Sequence, residues 1–222
     1  MKQVICITGG ASGLGRELAA SFSAKNQVII FDIDPAVKTV AQHLNCDFYH
    51  CDVSDFKSLS DTIKDILQKY QRIDVFINNA GVYIDGPIQT NTPDRIKKVF
   101  EVNCLAPIFS ANILVPIFKK QKSGTIININ STAGLHPKAN NSVYHASKWA
   151  LTGFTQSLQL ELANSHVKVI DIHPGVMNTK FTQNTDTDLS QSIHPDQVVK
   201  AINFVLSCDD EIFVPQLTIK HI

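Results

Sequence analysis

Long apolar runs, paired cysteines and charge of one sign are all scarce in this 222-residue sequence. Twenty basic residues balance twenty acidic ones, so no net field draws the chain to nucleic acid or to an anionic membrane. Neither is expected as a partner. The opening MKQVICITGG holds one lysine and four consecutive apolar residues, Val4 to Ile7. A signal peptide needs an apolar region of about 7–15 residues and a membrane helix about 20. Neither is expected here or downstream, and the expected location is the cytoplasm. The five cysteines (Cys6, Cys46, Cys51, Cys104, Cys208) are odd in number and form no CxxC pair, which suits free thiols better than a disulfide framework. His43, Cys46, His50 and Cys51 do cluster, but at no spacing that a zinc site uses. No metal is expected, and the segment reads as a half-buried strand entering a turn.

What is there is alternation. Short β-branched runs at 3–8, 27–32, 47–52, 73–78, 124–130, 167–172 and 211–219 read as strands. Several are almost continuously apolar, as parallel strands covered on both faces must be. Pro215 interrupts the last and marks it as an edge or a bend. Helical patterns at 14–24, 35–43, 55–70, 93–121, 143–164 and 195–207 lie between them. Thr92-Pro93, His194-Pro195 and Ser54-Asp55 are start signals. Such βαβ units with right-handed crossovers predict an α/β doubly wound parallel sheet. No linker, repeat or low-complexity segment divides the chain, so residues 1–222 are expected to form one domain, with a polar loop at 180–193.

The first strand runs into TGGASGLG, residues 8–15, and then into a helix. Glycines permit a tight turn and close backbone approach, and a helix N-terminus offers unpaired N–H groups to a pyrophosphate. Gly9, Gly13 and Gly15 are spaced G-x-x-x-G-x-G, one residue wider than the usual dinucleotide fingerprint; alone, such a loop is also simply a turn. The second strand ends at Asp32, where an acid can accept hydrogen bonds from adenosine ribose hydroxyls. That carboxylate would repel a 2′-phosphate, and no Arg or Lys stands at 31, 33 or 34, so NAD is expected over NADP. The alternative is that DIDP is a turn leading into a helix.

Tyr144 stands four residues before Lys148 in VYHASKWALTGF, one helical turn apart on one face. A positive charge beside a tyrosine favours the phenolate. Ser131, at the end of the fifth strand, belongs by topology to the same cleft, since ligands bind outside the strand ends.

Together these motifs resemble the classical short-chain dehydrogenase/reductase family. The resemblance runs over about residues 3–219 and rests on TGxxxGxG, Asp52-Val53, NNAG at 78–81, Asn103, Ser131, YxxxK and PGVMNT at 174–179. It implies a single-domain Rossmann fold with a seven-stranded parallel sheet flanked by helices. It implies NAD(P)(H)-dependent interconversion of a carbonyl and a secondary alcohol, with Asn103, Ser131, Tyr144 and Lys148 as the catalytic tetrad. Tyr144 would be the general acid/base, Ser131 would hold the substrate oxygen, and Asn103 would help to hold a water on the path from Lys148. Gly9, Ser12, Gly13, Leu14, Gly15, Asp32, Asp52, Val53, Asn78, Asn79, Ala80 and Gly81 would bind or shape the cofactor site. Pro174, Gly175, Val176 and Thr179 would pass the nicotinamide, and Tyr144 and Lys148 would also touch the cofactor. A homodimer or homotetramer through 93–121 and 143–164 is implied in the same way.

Asn130 departs from the family, standing where many relatives have a serine. The segment from Thr179 to Pro195 is short for a substrate lid. Residues 82–90, His136, Pro137 and 180–190, with Tyr83, Ile84, Leu135, Phe181 and Leu189 among or beside them, are the expected pocket lining, and His145 is expected at its border. They hold no basic cluster. Two other readings stay open: an NAD(H)-binding sensor or scaffold without turnover, and a short-chain-family isomerase or dehalogenase.

Overall fold

The computed structural model describes residues 2–179, 181–182, 189–209 and 211–222. Half of the 180–193 loop therefore lies outside the described residues. Seven parallel strands form one sheet: β1 (Val4–Thr8), β2 (Gln27–Asp32), β3 (Asp47–His50), β4 (Val75–Asn78), β5 (Gly124–Ile129), β6 (Val167–Pro174) and β7 (Gln216–Ile219). Their order is β3-β2-β1-β4-β5-β6-β7, the doubly wound arrangement that the alternation predicts. β7 starts just after Pro215 and sits at the edge, where a residue without an N–H is tolerated.

The strands are covered on both faces, and the side-chain alternation sorts the core into two layers. Ile5, Ile7, Ile30, Ile77, Ile127 and Ile170 pack beneath α1 (Gly13–Ser23), α2 (Val37–Leu44) and α7 (Pro195–Ser207). Cys6, Ile29, Phe31, Phe76, Ile126 and Val169 pack beneath α3 (Phe56–Tyr70), α5 (Ala106–Gln121) and α6 (Ser142–Glu161). The predicted caps are in place: Asp55 accepts from Lys57 and Ser58 N–H groups, and Thr92 accepts from Arg95 N–H ahead of Pro93.

The helix predicted over 93–121 is built differently. It divides into α4 (Pro93–Phe100), a π-helical turn (Glu101–Leu105) and α5. Pro107 has no N–H to offer the carbonyl four residues earlier, that of Asn103, and the helix widens there. Contrary to the sequence reading, Pro93–Gln121 is long and apolar enough to cross a membrane by length and composition. Its apolar content has another use, because Ala106, Ala111, Leu114 and Phe118 are buried in the layer that covers the sheet. Two 3-10 turns, Ile88–Thr90 and Thr132–Gly134, were not foreseen.

Candidate active site

Strand order reverses between β2 and β4 on either side of β1, and the glycine loop sits at that switch point, where open α/β sheets bind ligands. Gly9 and Gly13 have φ of +67° and +51°, backbone that L side chains rarely adopt. Gly15 is required for a different reason from the one the spacing suggested. A Cβ there would lie 2.1 Å from the Gly9 carbonyl oxygen, so it lets the loop close on itself and does not line the cleft. Thr8 and Asn79 fasten this loop to the end of β4. The Thr8 Oγ1 accepts from the N–H groups of Asn79 and Ala80, both at 2.9 Å, and Asn79 Nδ2 donates to the Thr8 carbonyl at 2.8 Å and to that of Gly9.

A cleft of about 290 Å³ opens beside the loop, lined by Gly9, Ser12, Gly13, Leu14, Asp32, Asp52, Val53, Asn79, Ala80, Gly81, Tyr144, Lys148 and Thr179. Ser12 precedes α1 without capping it through its side chain, so its hydroxyl is left for a ligand in the cleft. Thr179 faces Gly13 across it, 3.6 Å from where a Cβ would stand. A dinucleotide fits these residues: the loop and helix start are shaped for the pyrophosphate, and Asp32 stands at the ribose end. The Asp32 carboxylate also braces the loop, accepting from Ala11 N–H at 2.9 Å and from Asp34 N–H at 3.0 Å. Ile33, Lys98 and Val102, for which no motif spoke, also join this lining, as do Met177 and Phe181. Lys98 reaches Asp52 and Ser54 at 3.2 and 2.9 Å.

Several expected residues do other work. Asn78 points into the interior, bonded to Asn128 and Ser110. The Asn103 side chain is committed to the Val82 backbone, accepting from its N–H and donating to its carbonyl, both at 2.8 Å, and it donates to Ser147 at 3.1 Å. It fastens the loop after β4 to α6, and its amide is not turned toward Lys148. Pro174, Gly175 and Val176 line a second pocket and not the cofactor cleft. Gly175 N–H donates to the Ile219 carbonyl at 2.7 Å, which anchors this segment to β7.

That second pocket, about 330 Å³, is lined by Tyr83, Ser131, His136, Pro137, Lys138, Asn141, Tyr144, His145 and Phe181 among others. Of the predicted lining, Ile84 is buried in the small apolar cluster that also holds Tyr144, Val99 and Val143. Lys138, His136 and His145 come together here although sequence spacing showed no basic cluster. His145 Nδ1 lies 2.7 Å from the His136 carbonyl, which pins the loop before α6.

Tyr144 is 8% exposed and stands edge-on to Tyr83, with ring centres 4.9 Å apart. Burial pushes its phenol well above the ordinary range, while hydrogen bonding with Ser131 pulls the other way. Burial likewise pushes Lys148 down to about 8, against the opposing charge of Asp171. For both side chains burial is the largest cause of the shift.

The fold, the switch-point cleft with buried Tyr144 and Lys148 on its wall, and half-buried Ser131 in the adjoining pocket define a dinucleotide-type oxidoreductase. The family model for short chain dehydrogenase matches residues 3–190, and the chain belongs to that family. Human 15-hydroxyprostaglandin dehydrogenase [NAD(+)] is 31% identical over 84% of this chain and 72% of its own. The structure of ElxO with NADP bound covers 99% of this chain and 97% of its own, at 27% identity and a TM-score of 0.90. The structure of 4-hydroxyisoleucine dehydrogenase with NADH covers 99% and 98%, at 25% identity and a TM-score of 0.89.

Proposed function

We propose that this protein is an NAD-dependent oxidoreductase that interconverts a carbonyl and a secondary alcohol, with Tyr144 as general acid and base. One observation carries the reading. Tyr144 lies on the boundary of the two cavities and lines both, together with Asn130, Met177, Thr179 and Phe181. A group so placed meets a cofactor on one side and a small molecule on the other. The nicotinamide, when bound, supplies or takes the hydride; the residues supply the rest. Tyr144 moves the proton at the substrate oxygen, and Ser131 stabilises charge that develops there. Lys148 holds a positive charge beside the ring and so favours the phenolate. A phenol that burial keeps protonated suits delivery of a proton, hence carbonyl reduction. The reverse reaction needs the phenol near pH 7, about 4 kcal/mol below even its ordinary pKa of about 10.

NAD is preferred over NADP because Asp32 lines the ribose end and repels a phosphate. Cofactors differ among the relatives, so the preference rests on that carboxylate. Exposed Leu105, Phe56 and Trp149 on the α3–α6 face support self-association as a homodimer or homotetramer, and the five free cysteines fit a cytoplasmic setting.

The test is turnover of a panel of ketones and secondary alcohols with NAD(H) and NADP(H), by the wild type and Tyr144→Phe. The expected result is NADH-linked turnover that falls by about 10²–10⁴ in the variant. Binding of NADH without Tyr144-dependent turnover across the panel would favour the sensor reading.

A further inference from the structure

The pocket that Tyr144 and Ser131 line also has features that proton transfer does not need. Three aromatic rings pack together on its wall. Tyr83 meets Tyr144 at 4.9 Å and Phe181 at 5.8 Å, and Tyr144 meets Phe181 at 6.4 Å, between ring centres. The Tyr83 hydroxyl lies 2.9 Å from the Asn141 side-chain amide, which steadies that ring. Val176, Met177 and Pro137 extend the apolar lining. At about 330 Å³ the space is at the small end for a ligand pocket, and such walls favour a flat, apolar body. The charge in the lining has one sign. Lys138 is exposed and enters no ion pair among the described residues. No Asp or Glu is among the described lining residues. Asn141 stands at the N-cap of α6 but does not cap it through its side chain, and the first turn carries no acid. The helix start on this wall therefore keeps its partial positive charge. His145, on the same helix, contacts the His136 carbonyl at 2.7 Å, so the loop that carries Lys138 is tied to that helix start.

We propose that this pocket selects a small ketone, or its secondary alcohol, whose flat apolar body carries a carboxylate, with Lys138 and the start of α6 recognising the anion. The inference rests on the reading of Tyr144 and Ser131 as the groups that meet the reacting oxygen. With that oxygen at Tyr144 and Ser131, the apolar body lies against Tyr83 and Phe181, and the carboxylate meets Lys138. A carboxylate brings one negative charge, which one lysine and a helix start can match. A phosphate brings about 1.5–2 charges and would call for a second cation, and Lys138 is the one Lys or Arg among the described lining residues. A neutral ketone would use the apolar wall and leave the lysine without a partner. Lys138 is a specificity residue. Its contact with substrate is the same before and during hydride transfer, so its effect falls on KM and not on kcat. Because the side chain is exposed, the attraction is modest and is screened by salt.

The test compares 3- and 4-acetylbenzoate with their carboxamides, which keep the shape and lose the charge. With NADH and the full chain, kcat/KM for an acid is expected to exceed that for its amide by about fivefold, through KM. Raising salt from about 20 mM to about 500 mM shortens the Debye length from roughly 20 Å to roughly 4 Å and is expected to erase most of that difference. Lys138→Met is expected to remove the preference for the acid, and Lys138→Arg to keep it. A merely structural role for Lys138 would lower Tm and shift acid and amide alike. A ratio of acid to amide near or below one overturns the proposal, as does a ratio that Lys138→Met leaves unchanged. If none of these compounds is turned over, calorimetric titration of the same compounds into the protein in the presence of NADH decides. Acid binding that exceeds amide binding and is lost in Lys138→Met would leave the anion site standing and sink the enzyme reading instead. Equal binding, or no binding of the acids, overturns the site.

Discussion

The Lys148 ammonium nitrogen lies 5.9 Å from the centre of the Tyr144 ring. It is held there by a hydrogen bond to the Ile129 carbonyl at 3.0 Å, so β5 fixes the height of the lysine and α6 fixes the spacing to the tyrosine. The distance is short enough for the charge to act on the phenol in a dry cleft. Lys148 also lines the cofactor cleft.

Burying that ammonium costs stability, and the cost depends on pH. The pKa falls from 10.5 to about 8. Below about pH 8 both folded and unfolded chains hold the proton and the full penalty is present. Between about 8 and 10.5 the unfolded chain binds more protons, so stability rises with pH. Urea unfolding of the wild type and Lys148→Met at pH 7 and pH 10 is expected to show the wild type gaining up to about 3 kcal/mol relative to the variant. Curves that stay parallel would contradict the burial account.

Asp32 is expected to serve two purposes, because its carboxylate both braces Ala11 and faces the ribose end of the cleft. Asp32→Ser should weaken NADH binding about tenfold and move the NADPH-to-NADH affinity ratio toward NADPH by at least as much. Fluorescence titration with the two cofactors reads both changes. An unchanged ratio would remove Asp32 from cofactor selection and leave it as a brace.

Two glycines should answer oppositely to alanine. At Gly15 the added Cβ would press on the Gly9 carbonyl at 2.1 Å, so Gly15→Ala is expected to lower Tm and to abolish detectable NADH binding. At Gly153, inside α6, a Cβ meets nothing within 4 Å. Gly153→Ala should stabilise by about 0.5–1 kcal/mol through helix propensity, with cofactor affinity unchanged. Equal effects at the two sites would mean that the loop relaxes more readily than its geometry shows.

The sheet was legible because parallel strands buried on both faces write themselves as runs such as VICIT and VIIF. Helix starts were legible where a cap and a proline stand together, as at Thr92-Pro93. The π-helical turn was not, since its cause is one missing N–H, that of Pro107, in an otherwise regular helical pattern. The site divided in the same way. Gly9, Gly13, Asp32, Tyr144 and Lys148 stand where spacing and topology place them. Asn103, Asn78 and Gly15 carried motif positions whose side chains or Cα turned out to serve packing. Lys138 had no readable signal, because a lysine in a polar loop reads as solvated until the loop is tied to α6.

If the proposed function holds, a hydride crosses between the two cavities beside Tyr144. The most direct measurement offers the protein NADH deuterated at the transferable position, with a carbonyl substrate, and locates the deuterium in the product alcohol. Deuterium is expected on the carbinol carbon with the wild type and almost none with Tyr144→Phe, although the variant still binds NADH. Product formed without deuterium at that carbon, or label transferred equally by the variant, would contradict it.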